Sequence, residues 1–207
     1  MTEPEWLTLG RELQALAQTG LTFTRDPFDQ QRYERITQIA AAVLASGFDT
    51  EPKMLFDAML AQRGYATPKV EVRGVALRDG KVLMVREVAD GLWTLPGGWA
   101  DVNQSAAECV VREIREESGF EARALKLAAV YDYRKSGHPP RFQHYVYKMF
   151  FLCEITGGSA LTSVETSEVG FFARDALTPL SLGRVTAAQI DRMFEHAAHP
   201  SLPTDFH

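Results

Sequence analysis

Apolar residues recur at three- and four-residue intervals through the first third of the chain, and the period shortens to two beyond Thr67. The first spacing lines one face of a helix and the second one face of a strand. Trp6, Leu9, Leu13, Leu16 and Ala17 predict a helix that stops at Gly20. Asp26-Pro27 places a capping residue before a proline and opens a second helix. Tyr33, Ile36, Ala40, Val43 and Leu44 form its inner face, and Gly47 is its expected end. Thr50-Glu51-Pro52 opens a third, with Leu55, Phe56, Met59 and Leu60 inward and Gly64 as its stop. Amphipathic helices this short make a weak core alone. The segment therefore needs the rest of the chain or a second subunit, and a homodimer that uses the N-terminal helices is expected.

Beyond Thr67-Pro68, Val70, Val72, Gly74 and Ala76 alternate with other residues, Asp79-Gly80 marks a two-residue turn, and Val82 to Val85 return as a buried strand. Leu125 to Tyr133 and His144 to Ile155 predict two longer strands, with Gly157-Gly158 turning the second, and Val169 to Phe172 a short one. One helix, Ala106 to Glu117, lies among these strands, and another, Thr186 to His196, closes the chain. The pattern is α+β, with a helical region over residues 1–66 and a second region over 67–207.

Composition narrows the class. The chain has 207 residues, 22 basic and 27 acidic side chains and a net charge of −5, which argues against a general nucleic-acid coat. The longest apolar run, Ile39 to Ala45, is too short to cross a bilayer. Two cysteines and no signal-peptide pattern at the N-terminus point to the cytoplasm.

The central helix works against its own stability. Ser105 and Glu108 form a capping box at its start. Val110, Val111 and Ile114 make its apolar stripe, and Glu113, Glu116 and Glu117 gather beside that stripe in the last turn. Like charges at this spacing repel, and the negative end of the helix dipole prefers cations. A divalent cation would reconcile them, and an all-oxygen donor set suits magnesium or manganese.

The segment before the helix adds Leu95-Pro96-Gly97-Gly98, where backbone can approach a phosphate or lend a carbonyl to a metal. Gly98, Gln104 and the run Arg112-Glu113-Ile114-Arg115-Glu116-Glu117-Ser118-Gly119-Phe120 together resemble the signature of the Nudix hydrolases. Gln104 stands where that signature has glutamate, and Phe120 where it has an aliphatic residue. The resemblance implies an α/β/α sandwich around a mixed sheet and magnesium-dependent hydrolysis of a nucleoside diphosphate linked to another moiety. It implies metal binding by Glu113, Glu116 and Glu117 with the Gly97 carbonyl, and orientation of the helix by Arg112. It also implies a further ligand or general base from the acidic loop at Glu165 to Val169, for which Glu168 is the expected residue. The helical extension and flanking segments resemble a bacterial subgroup that includes CDP-choline pyrophosphatases. Under that likeness the expected substrate is CDP-choline, cleaved to CMP and phosphocholine, with ADP-ribose as the alternative. Gly98, Trp99, Tyr131, His138, Arg141 and Tyr145 are the expected substrate contacts, aromatic faces being suited to a trimethylammonium head. An RNA 5′ end, served by a basic face at Arg123, Lys126, Arg134, Lys135 and Arg141, and a non-catalytic nucleotide sensor are further alternatives.

Overall fold

A computed structural model of the chain describes residues 3–139, 144–177 and 179–207. The chain forms two compact units, residues 1–69 with 139–145, and residues 70–138 with 146–207.

The first unit contains α1 (Glu5–Phe23), α2 (Pro27–Phe48) and α3 (Pro52–Leu60). Asp26 caps α2 by accepting the N–H groups of Phe28 and Asp29 at 2.8 and 2.9 Å, and Pro27 follows in the first turn. Gly20 and Gly47 do not stop their helices. They are where α1 and α2 meet as an antiparallel pair. A Cβ on Gly20 would sit 2.4 Å from the Tyr33 ring, and one on Gly47 2.2 Å from the Trp6 ring. The inward face differs from the expected stripe for the same reason. Leu7, Gly10, Gln14 and Ala17 are buried on α1, and Gly10 lets Leu44 of α2 approach closely. Leu9 and Leu16, expected inside, are 48% and 60% exposed, and Phe23 continues their seven-residue ridge at 67%. Ala40, Ala41 and Leu44 of α2 and Leu55 and Met59 of α3 complete this core.

The second unit is built on strands β1 (Lys69–Arg78), β2 (Lys81–Glu87), β3 (Trp93–Thr94), β4 (Phe120–Asp132), β5 (Val146–Gly158), β6 (Thr166–Phe172) and β7 (Asp205–Phe206). They form one sheet in the order β3-β2-β1-β5-β4-β7, with β6 paired to β2. The β4–β7 pair is parallel and β2–β6 and β4–β5 are antiparallel, so the sheet is mixed. Helix α4 (Ala106–Ser118) packs through Val110 and Ile114 on Val72, Ala76, Leu83 and Phe151. Helix α5 (Ala187–Ala198) packs through Ile190 and Met193 on the opposite face, against Val75, Met84, Phe150 and Leu152. This is the expected α/β/α sandwich. Two limits moved: β4 starts directly after Gly119, and Gly157 and Gly158 lie within β5, paired with Glu121 and Phe120. Among the described residues no helix is long and apolar enough to cross a membrane.

Gly20 offers a test of the helix contact. At an exposed helix site Gly→Ala would stabilise by about 1 kcal/mol. Here the added methyl meets the Tyr33 ring, so Gly20→Ala should destabilise by about 1–3 kcal/mol. Urea denaturation followed by circular dichroism measures the sign, and a gain in stability would refute the close contact.

Candidate active site

β1 and β2 pair beside their turn, Leu77 with Val82 and Arg78 with Lys81. Farther from the turn, residues 93–100 occupy the space between them. On one side Trp93 and Thr94 pair with Arg86 and Val85 of β2. On the other, Gly74 N–H donates to Pro96 O (2.8 Å), Val72 N–H to Gly98 O (2.9 Å) and Ala100 N–H to Val70 O (2.9 Å). Gly97 sits inside this insertion with φ at +145°, and a Cβ there would lie 2.1 Å from the Val72 carbonyl oxygen. Only glycine fits both constraints.

The chain then crosses to α4, whose start is fixed by the predicted capping box: Ser105 Oγ accepts Glu108 N–H at 3.2 Å, and Glu108 Oε2 accepts Ser105 N–H at 2.7 Å. At the other end Glu117 is buried, and its Oε2 accepts the Gly97 N–H at 2.8 Å. Burial pushes this carboxyl up to about 8, helped by the charges of Glu87 and Glu113 and opposed by Arg73 and the Gly97 N–H. Glu113 lies with its carboxylate against Gly98, within 3.2 Å of where a Cβ would be. Burial raises its pKa too, Arg112 opposing and Glu116 and Glu165 reinforcing. Arg112 ties the site's outer side together. It donates to Gln104 Oε1 (3.1 Å), Glu116 Oε2 (2.8 Å) and Asp101 Oδ2 (2.8 Å), and lies 3.1 Å from Glu113 Oε1. Gln104 therefore keeps the hydrogen bond to arginine open to an amide at that position.

Residues 67–194 match the family profile of the Nudix domain, and residues 4–58 match that of a UDP-X-like N-terminal oligomerisation domain. The chain belongs to the Nudix hydrolase family. It is 40% identical over 204 residues, 99% of this chain and 98% of the other, to a Bacillus subtilis protein provisionally named an ADP-ribose pyrophosphatase. A crystal structure described as an ADP-ribose pyrophosphatase from Streptococcus suis is 40% identical, covering 68% of this chain and all of that one, with a TM-score of 0.63. The crystal structure of a UDP-X diphosphatase covers both chains fully at 30% identity, also with a TM-score of 0.63.

The remaining expected residues of this Nudix pyrophosphatase scatter. Trp99 follows the glycine pair, is partly exposed and faces Glu71 across a β-bridge. Glu168 lies on β6 and its Oε1 accepts from Arg86 Nη1 at 2.6 Å. Glu165, from the same loop, is the acid whose charge reaches Glu113 and Glu87. Its backbone is held by Val88 N–H (2.8 Å), and the next residue, Thr166, donates to the Glu117 carbonyl (2.7 Å). Tyr131 packs on Phe150 and His207 and donates to Asp205 Oδ2 at 3.1 Å, toward the α5 face. Tyr145 belongs to the first unit, and Arg141 lies outside the described residues. Glu87, buried at the end of β2 and bound to Arg184, was not singled out in the sequence. Its only signal there is an acid closing an apolar strand.

His138 is buried, not poised for a phosphate. Its Nδ1 donates to Leu182 O at 2.7 Å, because a carbonyl can only accept, and Nε2 then accepts from the Gln189 amide at 3.1 Å. The ring also stacks on Tyr133, centroids 4.5 Å apart. Burial, then the charge of Lys148, pushes its pKa from 6.5 down to about 4. A depressed histidine contributes stability above its unfolded pKa and loses it as pH falls through the folded one. The wild type should therefore lose about 3 kcal/mol between pH 6.5 and 4 through this group. His138→Gln should be less stable at neutral pH and decline less over that range in thermal melts; parallel declines would show that His138 does not take up the proton.

Proposed function

We propose that this Nudix hydrolase cleaves ADP-ribose between its phosphates, giving AMP and ribose 5-phosphate. The observation that carries the reading is the whole-length likeness to a relative named for ADP-ribose, on a chain that keeps the three helix carboxylates. It replaces CDP-choline as the first choice. Of the aromatic residues expected to select a trimethylammonium head, Tyr131 is instead committed to Asp205 and the α5-side core. The RNA alternative is weakened as well, because Arg123 pairs with Glu154 and Lys126 donates to the carbonyls of Pro200 and Leu202. A uridine diphosphate-linked substrate is the second reading, favoured by the end-to-end likeness to the UDP-X diphosphatase. A nucleotide substrate fits the cytoplasmic setting expected from composition.

The family's divalent metal fits these residues by donor chemistry and by charge. Glu113 and Glu117 are raised because burial and mutual repulsion leave them short of positive charge, and a cation supplies it. Among the described residues no three metal-binding side chains form a preassembled cage, Glu116 being engaged by Arg112. Glu113, Glu116 and Glu117, with the Gly97 carbonyl, would hold the ion. Bound there, magnesium or manganese offsets phosphate charge and makes water a better nucleophile. The chain's own groups position the rest: Arg112 orients the outer carboxylates, Gly97 and Gly98 let the diphosphate approach the backbone, and Glu165 stands within electrostatic reach of Glu113 as general base.

An assay of ADP-ribose, UDP-linked sugars, CDP-choline and a short triphosphorylated RNA with magnesium tests the reading. ADP-ribose should show the highest kcat/KM, and a higher value for any other member reassigns the substrate. In the same assay Glu117→Gln should lose on the order of a hundredfold to a thousandfold in kcat. Glu165→Gln should lose on the order of a hundredfold, while Glu168→Gln, at an exposed ion pair, should change little. The reverse order would return the base to Glu168.

The oligomerisation profile over residues 4–58 supports a homodimer through the helical unit. The exposed ridge of Leu9, Leu16 and Phe23 is its proposed contact. Light scattering should give twice the chain mass for the wild type and a monomer for Leu9→Glu/Leu16→Glu; an unchanged mass for the variant would move the interface elsewhere.

A further inference from the structure

On the sheet face covered by α5, the inward side chains are apolar where Val75, Phe150 and Leu152 meet Ile190 and Met193. Toward the inserted segment the same face turns ionic, with Glu71 (4% exposed) and Arg73 (3%) on β1 and Lys148 (0%) on β5. Charges removed this far from water are costly, and apolar side chains of similar volume fill a core at least as well. The bonds these three make explain their place. Lys148 Nζ donates to Glu71 Oε1 (3.0 Å), to Gly183 O (3.2 Å) and to Arg184 O (2.5 Å). Glu71 Oε1 also accepts from Arg73 Nε (2.6 Å), and Arg73 Nη1 donates to the Leu95 carbonyl (2.9 Å). Two residues on, Gly97 N–H meets Glu117 Oε2. From the far end, the Arg184 side chain reaches Glu87 (2.9 Å) and Asp90 (3.1 Å).

We propose that Lys148, Glu71 and Arg73 are positioning residues, a buried ladder of alternating charge that holds the Leu95 carbonyl and thereby sets the Gly97–Gly98 backbone against the carboxylates of α4. The hydrogen bonds of the three run to one another and to main-chain carbonyls. Arg73 is the rung that matters most, because its planar guanidinium holds Glu71 and the Leu95 carbonyl together, a geometry that a lysine cannot reproduce. Lys148 anchors the same ladder to the 183–184 turn, so the inserted segment, the turn and the end of β2 are fixed to one another from beneath. The proposal is independent of which nucleoside diphosphate is cleaved.

The test uses the full chain with Arg73→Lys, Lys148→Met and, as a control for lost stability, Met193→Ala in the apolar part of the same face. Steady-state kinetics on the preferred substrate at saturating magnesium are combined with amide hydrogen exchange over residues 95–98. Both ladder variants should lose on the order of tenfold to a hundredfold in kcat per folded enzyme, the scale of a small misplacement, with KM within about twofold. Exchange at 95–98 should quicken while that of β4 stays unchanged. Met193→Ala should lower the melting temperature with kcat of the folded enzyme retained. Lys148→Met leaves the Glu71–Arg73 pair in place, so it decides the matter if Arg73→Lys does not fold. Unchanged exchange at 95–98 and unchanged kcat in a folded Lys148→Met would overturn the proposal, as would an equal loss of kcat in Met193→Ala. If the wild type cleaved none of the substrates, the function assigned above would fail, and the exchange result would still decide the ladder's role.

Discussion

The backbone of residues 93–100 fits between β1 and β2, and the site is assembled around that insertion. Three main-chain hydrogen bonds fix it to β1, and the Gly97 N–H donates to the Glu117 side chain on the helix that follows. Because its polar groups are used on both sides, the segment cannot slide without leaving buried donors unpaired. Gly97 is forced by the Val72 carbonyl, Gly98 lies close against the Glu113 carboxylate, and the start of α4 is set by a cap a few residues later. The helix is thereby delivered to the sheet with its last turn facing the glycine pair.

Around this frame the electrostatics run against local stability. Acidic side chains crowd the negative end of a helix dipole, and two are withdrawn from water. The protein compensates only in part. Arg112 neutralises the outer side and Arg73 opposes from behind, yet both inner carboxyls remain above their ordinary range. Such local conflict is common where function and not folding sets the residues. Gln104 shows which part of the arrangement tolerates change: its carbonyl still holds Arg112, while the carboxylates nearest the glycines all persist.

The helical unit follows a different logic. Its core is held by alanine, leucine and glycine at close range, and the larger apolar residues Leu9, Leu16 and Phe23 are left outside. A ridge of this kind is ordinary for a surface that meets another protein, and the matching oligomerisation profile agrees with it.

By itself the sequence determined the local elements and the chemistry. Capping residues, turn residues and the two periodicities placed the three N-terminal helices, the β1–β2 turn and α4, because those signals act within a few residues of each other. The spacing of Gly98, Arg112, Glu113, Glu116 and Glu117 named the reactive helix for the same reason. Only tertiary structure decided that Gly20 admits a neighbour instead of ending its helix, because Tyr33 is seen against it only in the folded chain. It decided that His138 is core, that Glu168 pairs with Arg86, and that Glu71, Arg73 and Lys148 meet beneath the site. Those outcomes depend on pairings between residues far apart along the chain, and no periodicity within one segment carries information about its partner across a sheet.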